Sequence, residues 1–356
     1  MWPWLKWIAL GTLAILLCAG GTILIWRAGS QYRVARAVAI QVPPGINELE
    51  AVSLGGIPQW ISIRGHDAHK PVLLFLHGGP GFPQMPFMEN NALLEDDYVV
   101  VQWDQRGAGK TFRDSIPPST MKIAQMVSDA HELVRLLRAR CGGQKIFLCA
   151  HSFGTILGAL LVSEHPEDFR AYIGISQIGD MMMAEEQLYE FALHYAQQHG
   201  KHDAFVELQK LGPPPHQTKS ALETVIKWSH EFGGDLHAQT RPEDLLTRAF
   251  SSPQYSLLDD INILRGADFS SKYLWRESYH LSLFRRAPRL EVPVYFFAGR
   301  HDYAVTATVA HAYFQALKAP RGKELVWFEN SSHFPNFEEP DKFQRIMKRI
   351  ARTTGE

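Results

Sequence analysis

The sequence predicts an α/β fold, a mostly parallel sheet with helices on both faces. Three observations carry it. Short β-branched or aromatic runs alternate with helical spacings through the first half of the chain. The alternation then stops across residues 177–289, and two further strand runs follow it. Such a pattern is a sheet wound by right-handed crossovers and interrupted once.

Residues 59–64 alternate apolar and polar side chains, as a half-exposed edge strand does. Residues 72–76 and 98–103 read as buried strands. Residues 121–140 have helical spacing in Ile123, Met126, Val127, Leu133, Leu136 and Leu137, and Cys141-Gly142-Gly143 stops the helix. A strand at 145–150 leads through Ser152 into a helix carrying Ile156, Leu157, Leu160 and Leu161. That helix ends near Pro166, and 170–176 is another strand. Helical stretches at 185–199, 221–232 and 242–250 follow, broken by Pro213-Pro214-Pro215 and Gly233-Gly234, with no convincing strand. The sheet resumes at 292–298 and 325–328, with a helix at 308–317 between them. An all-helical insertion here predicts a cap over the carboxyl ends of the strands, where open α/β sheets bind ligands. The chain thus divides into an anchor with a basic flank (1–36), a first core segment (37–176), the cap (177–289) and a second core segment (290–356).

Composition bounds the class. With 356 residues, 46% of them hydrophobic, the chain has ample material for a buried core. A formal net charge of −1 gives no electrostatic basis for a nucleic-acid partner. Cys18, Cys141 and Cys149 are the only cysteines and Cys18 lies in the N-terminal apolar stretch, so no disulfide framework is expected.

Residues 8–26 carry no charge, and Trp2, Trp4, Trp7 and Trp26 stand at the edges. At about 1.5 Å per residue this stretch spans a hydrocarbon core, and tryptophans favour the interface. A cleaved signal peptide is the rival, but its apolar region is shorter, and cutting after Gly21 would leave Ile23-Leu24-Ile25-Trp26 on the mature end. Leu17 before Cys18 is too bulky for a lipoprotein signal. An uncleaved single-pass anchor is therefore expected. Lys6 flanks one side and Arg27, Arg33 and Arg36 the other, a count that leans towards a cytoplasmic body without fixing it.

Two segments carry the chemistry. His77-Gly78-Gly79-Pro80-Gly81 follows the strand at 72–76 directly, and its glycines leave backbone N–H groups bare. Ala150-His151-Ser152-Phe153-Gly154 puts a serine at the apex of a strand-to-helix turn. Together they supply an oxyanion hole and a nucleophile. A serine hydroxyl needs a histidine to take its proton and a carboxylate to hold that histidine. In the order serine, acid, histidine, Asp302 follows one strand in Gly299-Arg300-His301-Asp302 and His333 follows the last in Asn330-Ser331-Ser332-His333-Phe334. Glu329 stands too close before His333, and Asp341 comes after it. The competing reading of Ser152 is a plain helix N-cap, but the small Ala150 and Gly154 beside it suit a sharp elbow. His194, His199 and His202 do not share one helical face, so neither a metal nor another cofactor is expected.

These segments, with Asp104-Gln105-Arg106-Gly107, resemble the prolyl iminopeptidase-like branch of the α/β-hydrolases over about residues 45–350. The resemblance implies the α/β-hydrolase fold and a serine hydrolase that releases an N-terminal residue, often proline, from short peptides. It implies oxyanion donors at the backbone N–H groups of Gly79 and Phe153, and bracing roles for Asp104 and Arg106. It also implies a carboxylate near the cap for the substrate's free amino group, with Glu185 first among Asp180, Glu185, Glu186 and Glu277. Trp228 and Trp275 stand isolated where that family has a tryptophan-rich cap. The same triad would also serve a carboxylesterase or lipase-like hydrolase of small acyl esters, which needs no amine pocket. A non-catalytic binding module is the reading from another class, although such proteins typically lose a triad member. Enzymes with a carboxylate nucleophile are excluded by Ser152. The expected partners are a small peptide or ester substrate and, through the N-terminal helix, a membrane.

Overall fold

The computed structural model describes residues 3–216, 218–237, 242–305 and 307–354. Helix α1 (Pro3–Ala37) runs unbroken from the apolar stretch through the basic flank. By length and composition it could cross a membrane. The flank stays helical because no proline or glycine after Gly29 interrupts it before Ala37, and Arg27 and Ser30 are buried against the body.

The chain then forms β1 (Ile46–Leu54), β2 (Ile57–Gly65), β3 (Val72–Leu76), a one-turn helix α2 (Met88–Asn91) and β4 (Val99–Asp104). Next come α3 (Ile123–Arg140), β5 (Ile146–His151), α4 (Phe153–Glu164) and β6 (Phe169–Ile175). Helices α5 (Met181–Gln198), α6 (His202–Leu211), α7 (Lys219–Glu231), α8 (Pro242–Phe250), α9 (Leu257–Tyr279) and the short α10 (Leu283–Arg286) follow. The chain closes with β7 (Val294–Gly299), α11 (Ala307–Ala316), β8 (Lys323–Phe328), the short α12 (Pro335–Glu338) and α13 (Pro340–Thr353). The sheet has eight strands in the order β1-β2-β4-β3-β5-β6-β7-β8. β2 pairs antiparallel with both β1 and β4, and every other neighbouring pair is parallel.

Helices cover both faces, which is why the central strands read as continuous apolar runs. Leu74 and Leu76 of β3 pack with Leu133, Leu137, Ile156 and Leu160 on one side. Leu73 and Phe75 point the other way, into a cluster with Phe343, Met347 and Ile350 of α13.

The structure departs from the sequence reading at the sheet edge and in several helices, among them α6, α9 and α13, that the spacings did not single out. The strand expected at the sheet edge is interior: β1 lies outside β2, and Ile61 to Gly65 are all buried. β1 escaped notice because Glu48 and Glu50 interrupt its apolar positions. α9, the longest helix between β6 and β7, was also missed. Its inward face mixes Ile263 and Leu274 with small or polar residues (Asn262, Gly266, Ser270), which break the apolar stripe.

A buried polar clasp ties this half of the sheet to α3. The Arg106 guanidinium donates to Asp129 Oδ2 at 2.8 Å, and Gln59 Nε2 donates to the same oxygen at 2.7 Å. Trp103 Nε1 donates to Gln59 Oε1 at 3.1 Å, and Arg106 Nη2 to the Gly55 carbonyl at 2.9 Å. Gly55 has φ +52°, and a Cβ there would collide with Asp129 and Arg106. Asp129→Ala would strand a buried guanidinium. It should cost about 3–5 kcal/mol, read as a lower denaturation midpoint at unchanged slope. A loss under about 1 kcal/mol would mean that Arg106 is solvated like a surface charge.

Candidate active site

β5 ends at His151 and α4 begins at Phe153, so Ser152 alone makes the turn. It holds φ +52° and ψ −124°, a conformation that costs an L-residue strain. Its side chain makes no capping bond to α4, so the plain N-cap reading fails. The turn is this sharp because backbone meets backbone around it. A Cβ on Gly154 would collide with the Leu76 and His77 carbonyls, and one on Gly78 would lie 2.8 Å from Ser152 Cβ.

The loops after β7 and β8 are joined the same way. A Cβ on Gly299 would collide with the Ser332 carbonyl. Arg300 N donates to Phe328 O at 2.9 Å and His301 N to Ser331 O at 3.0 Å. This contact places His333 Nδ1 3.0 Å from Asp302 Oδ2 and 3.2 Å from Oδ1. Val305 N donates to Asp302 Oδ1 at 3.1 Å. The His333 carbonyl accepts from His151 Nε2 at 2.9 Å and Ser176 Oγ at 3.0 Å, which joins the histidine loop to the residue before Ser152. Ser152 Oγ makes no hydrogen bond to His333 among the described residues. Such bonds are often long until substrate closes a site.

Electrostatics single out one imidazole. Burial pushes His77 down to about 4 and His151 down to about 3, so both are neutral. Burial acts on His333 in the same direction, but the Asp302 carboxylate overrides it and lifts the imidazole above its ordinary 6.5. Burial would likewise raise Asp302, and His333 with its hydrogen bonds brings it below 3.8. Of these three histidines, only His333 is held above its ordinary value. Burial also lifts Glu338 to about 7, and its carboxylate accepts from Ser332 N at 2.7 Å, next to the base.

Gly79 and Phe153 sit on the glycine loop and at the first turn of α4. Gly79 has φ +112°, and a Cβ there would meet the N–H groups of Gly81 and Phe82 at 2.7 and 2.6 Å. Neutral His77 locks the loop: Nδ1–H donates to Gly78 O at 2.9 Å, while Nε2 accepts from Gln105 N at 3.2 Å. Asp104 accepts from Lys110 N at 2.7 Å and from the Tyr255 hydroxyl, and burial raises its carboxyl to about 7. Asp104 and Arg106 hold loops in place.

Glu185 lies elsewhere. It is buried within the helical layer, with Oε1 2.5 Å from His216 Nδ1 and Oε2 accepting the Tyr279 hydroxyl. Asp180 caps α5 through Met182 N and Met183 N, Glu277 accepts from Ile123 N, and Glu186 is exposed. A cavity of about 650 Å³ opens between α5 and the acid loop, lined by Gln187, Glu190, Phe191, His194, Tyr303 and Asp302 among others. Four of these share one face of α5 at helical spacing (187, 190, 191, 194), away from Glu185. That stripe was visible in the sequence.

Over this site the chain that leaves α7 is sewn to both loops. Gly234 O accepts from Tyr303 N at 2.9 Å, Ala304 N at 3.2 Å and Ser332 Oγ at 3.0 Å, and Asp235 O accepts from His333 N at 3.1 Å.

Comparison with known proteins agrees with the fold. Residues 71–340 match the family described as alpha/beta hydrolase fold. The chain belongs to the α/β-hydrolase fold family. Within it, the chain is similar to a protein named as an aminopeptidase. A probable aminopeptidase, YbaC, of Bacillus subtilis (strain 168) is 31% identical over 307 residues, covering 85% of this chain and 96% of that protein. The crystal structure of a proline iminopeptidase from Mycobacterium smegmatis superposes with a TM-score of 0.64 at 18% identity, covering 86% of this chain and 98% of that one. That of a membrane phospholipase A has the same TM-score and identity and covers 99% of each chain.

With His333 as the base expected from the sequence, only its neutral form can accept a proton, and kcat/KM of this hydrolase should rise with pH through an apparent pKa above 6.5. Asp302→Asn removes the charge that lifts His333 and leaves burial unopposed. The acidic limb should move down while kcat falls about 10⁴-fold, the order seen when a serine triad loses that charge. A limb that stays in place would unlink Asp302 from the base.

Proposed function

We propose that the chain is a serine hydrolase working through an acyl-enzyme, and that it releases N-terminal residues from short peptides. The observation that carries this is a strained serine elbow beside a buried imidazole paired to a carboxylate at 3.0 Å. Ser152 Oγ attacks the substrate carbonyl as His333 Nε2 takes its proton. Asp302 holds Nδ1–H and balances the imidazolium. The N–H groups of Gly79 and Phe153 receive the oxyanion, with the positive end of α4 behind Phe153. His333 then protonates the leaving amine, and water releases the acyl group by the reverse steps.

The peptide reading draws on YbaC, named a probable aminopeptidase, and on the proline iminopeptidase structure. It requires a carboxylate for the substrate's ammonium group. With both oxygens of Glu185 engaged, Glu190 is the carboxylate that the cavity beside Asp302 offers. The closed Glu185 site also favours a second reading, hydrolysis of small acyl esters, which bring no ammonium.

Aminoacyl arylamides assayed beside short-chain p-nitrophenyl esters separate the two. Ser152→Ala should abolish fluorophosphonate labelling and lower kcat on either substrate by about 10⁴-fold or more. Glu190→Gln should lower kcat/KM by about tenfold to a hundredfold for free-amine substrates and leave N-acetylated ones unchanged. Glu185→Gln should depress both alike. If N-blocked esters are the better substrates of the unaltered protein, the ester reading replaces the peptide one.

α1 is read as a single-pass anchor, supported by its exposed apolar length and by the full-length match to a membrane phospholipase A. The full chain should pellet with membranes and resist carbonate, whereas a chain beginning at Val42 should stay in solution. Release of the full chain by carbonate would remove the anchor.

A further inference from the structure

Where the charge-free stretch of α1 ends, the helix is fixed to the junction of α8 and α9. Trp26 stacks on Phe250 with ring centroids 6.1 Å apart, and the Arg27 guanidinium lies 5.0 Å from the same ring. Arg27 Nη2 donates to Tyr255 O and to Asp260 Oδ2, both at 2.8 Å. One turn on, Gln31 Nε2 donates to Ser252 O at 2.7 Å. If residues 8–26 lie in hydrocarbon, the start of α9 is held at the level where the chain leaves it.

The outer face of α9 is apolar at that point. Leu257, Leu258, Ile261 and Leu264 follow one another at helical spacing and stay uncovered, with Leu258 60% and Leu264 67% exposed. Leu246 of α8 adds to them at 61%. From Leu257 to Leu264 the helix rises only about 10 Å, so the whole strip stays within about two turns of the point where α1 leaves its apolar span. The cation at the junction, Arg27, is buried and matched by Asp260, so the strip meets no unpaired charge there.

We propose that the α8–α9 outer face is seated in the surface of the bilayer that α1 spans, an inference that rests on reading α1 as a membrane helix. A lipid surface is the occupant, rather than a soluble protein, because the strip begins beside the residue at which the apolar span stops. The seat reaches the site: two turns past Leu264, Ser270 Oγ donates to Gly107 O at 3.0 Å, and a Cβ on Gly81 would lie 2.7 Å from Gly266 O. One continuous helix therefore sets how far the glycine loop stands from lipid.

The test uses the full chain in phosphatidylcholine–phosphatidylglycerol vesicles, with Cys18→Ser and Cys141→Ser and the buried Cys149 left in place. A nitrobenzoxadiazole label is placed singly through Leu258→Cys or Leu264→Cys, with Leu16→Cys as a reference in the span. Glu167→Cys serves as a reference on the body. Labels at Leu258 and Leu264 should be blue-shifted, quenched by doxyl-labelled lipid and shielded from iodide, as at Leu16; Glu167 should behave oppositely. Iodide quenching at both α9 sites with lipid quenching at Leu16 would overturn the seat and leave the anchor standing. Shielding from both quenchers would overturn it in favour of a protein partner, such as a second copy of this chain. No lipid quenching at Leu16 would overturn the anchor and the seat together.

Discussion

Gly78, Gly154 and Gly299 let the loops at the carboxyl ends of β3, β5, β7 and β8 touch backbone to backbone, and the site hangs on those contacts. Each contact is too close for a side chain. The first two draw the oxyanion loop against the serine elbow, and the third draws the acid loop against the histidine loop. At the Gly299 contact, Arg300 N and His301 N donate to Phe328 O and Ser331 O, and hydrogen-bond lengths, which vary little, set the separation. The strain at Ser152 is held by the same packing, since the elbow has no room to relax.

Asp302 and His333 are both buried, and that decides their electrostatics. A buried Asp–His pair is costly when either partner is removed, because the remaining group is left without water or a counter-charge. Here the pair is closed by Val305 N on the carboxylate and by three backbone contacts on the histidine. His77 and His151 face the same desolvation without a carboxylate partner and stay neutral, which lets them act as fixed hydrogen-bonding struts.

Much of this was legible in the chain because strand ends are local events. Buried runs such as Val72–Leu76 announce strands, and residues just after strands arrive at one rim of a parallel sheet whatever their separation in sequence. That is how Asp302 and His333 could be paired before their loops were seen. β1 was illegible because Glu48 and Glu50 share a face with Ile46, Val52 and Leu54 and so break the alternation. α9 was hidden because Asn262, Gly266 and Ser270 stand between Ile263 and Leu274 on its buried face and interrupt the hydrophobic signal. Glu185 could not be placed from sequence, since a carboxylate on an amphipathic helix looks the same whether it meets solvent, substrate or, as here, His216 and Tyr279.

The stitch from Gly234 and Asp235 to the loops beneath ties access to readiness. Four hydrogen bonds join that short segment to the stretches carrying the acid and the base, one of them to the N–H of His333 itself. Lifting this part of the helical layer as a rigid lid would break all four, while the His333 carbonyl would keep its bonds to His151 and Ser176. Opening at this point is therefore coupled to the rim beneath it: the segment cannot lift without releasing one of the three anchors on the histidine's backbone.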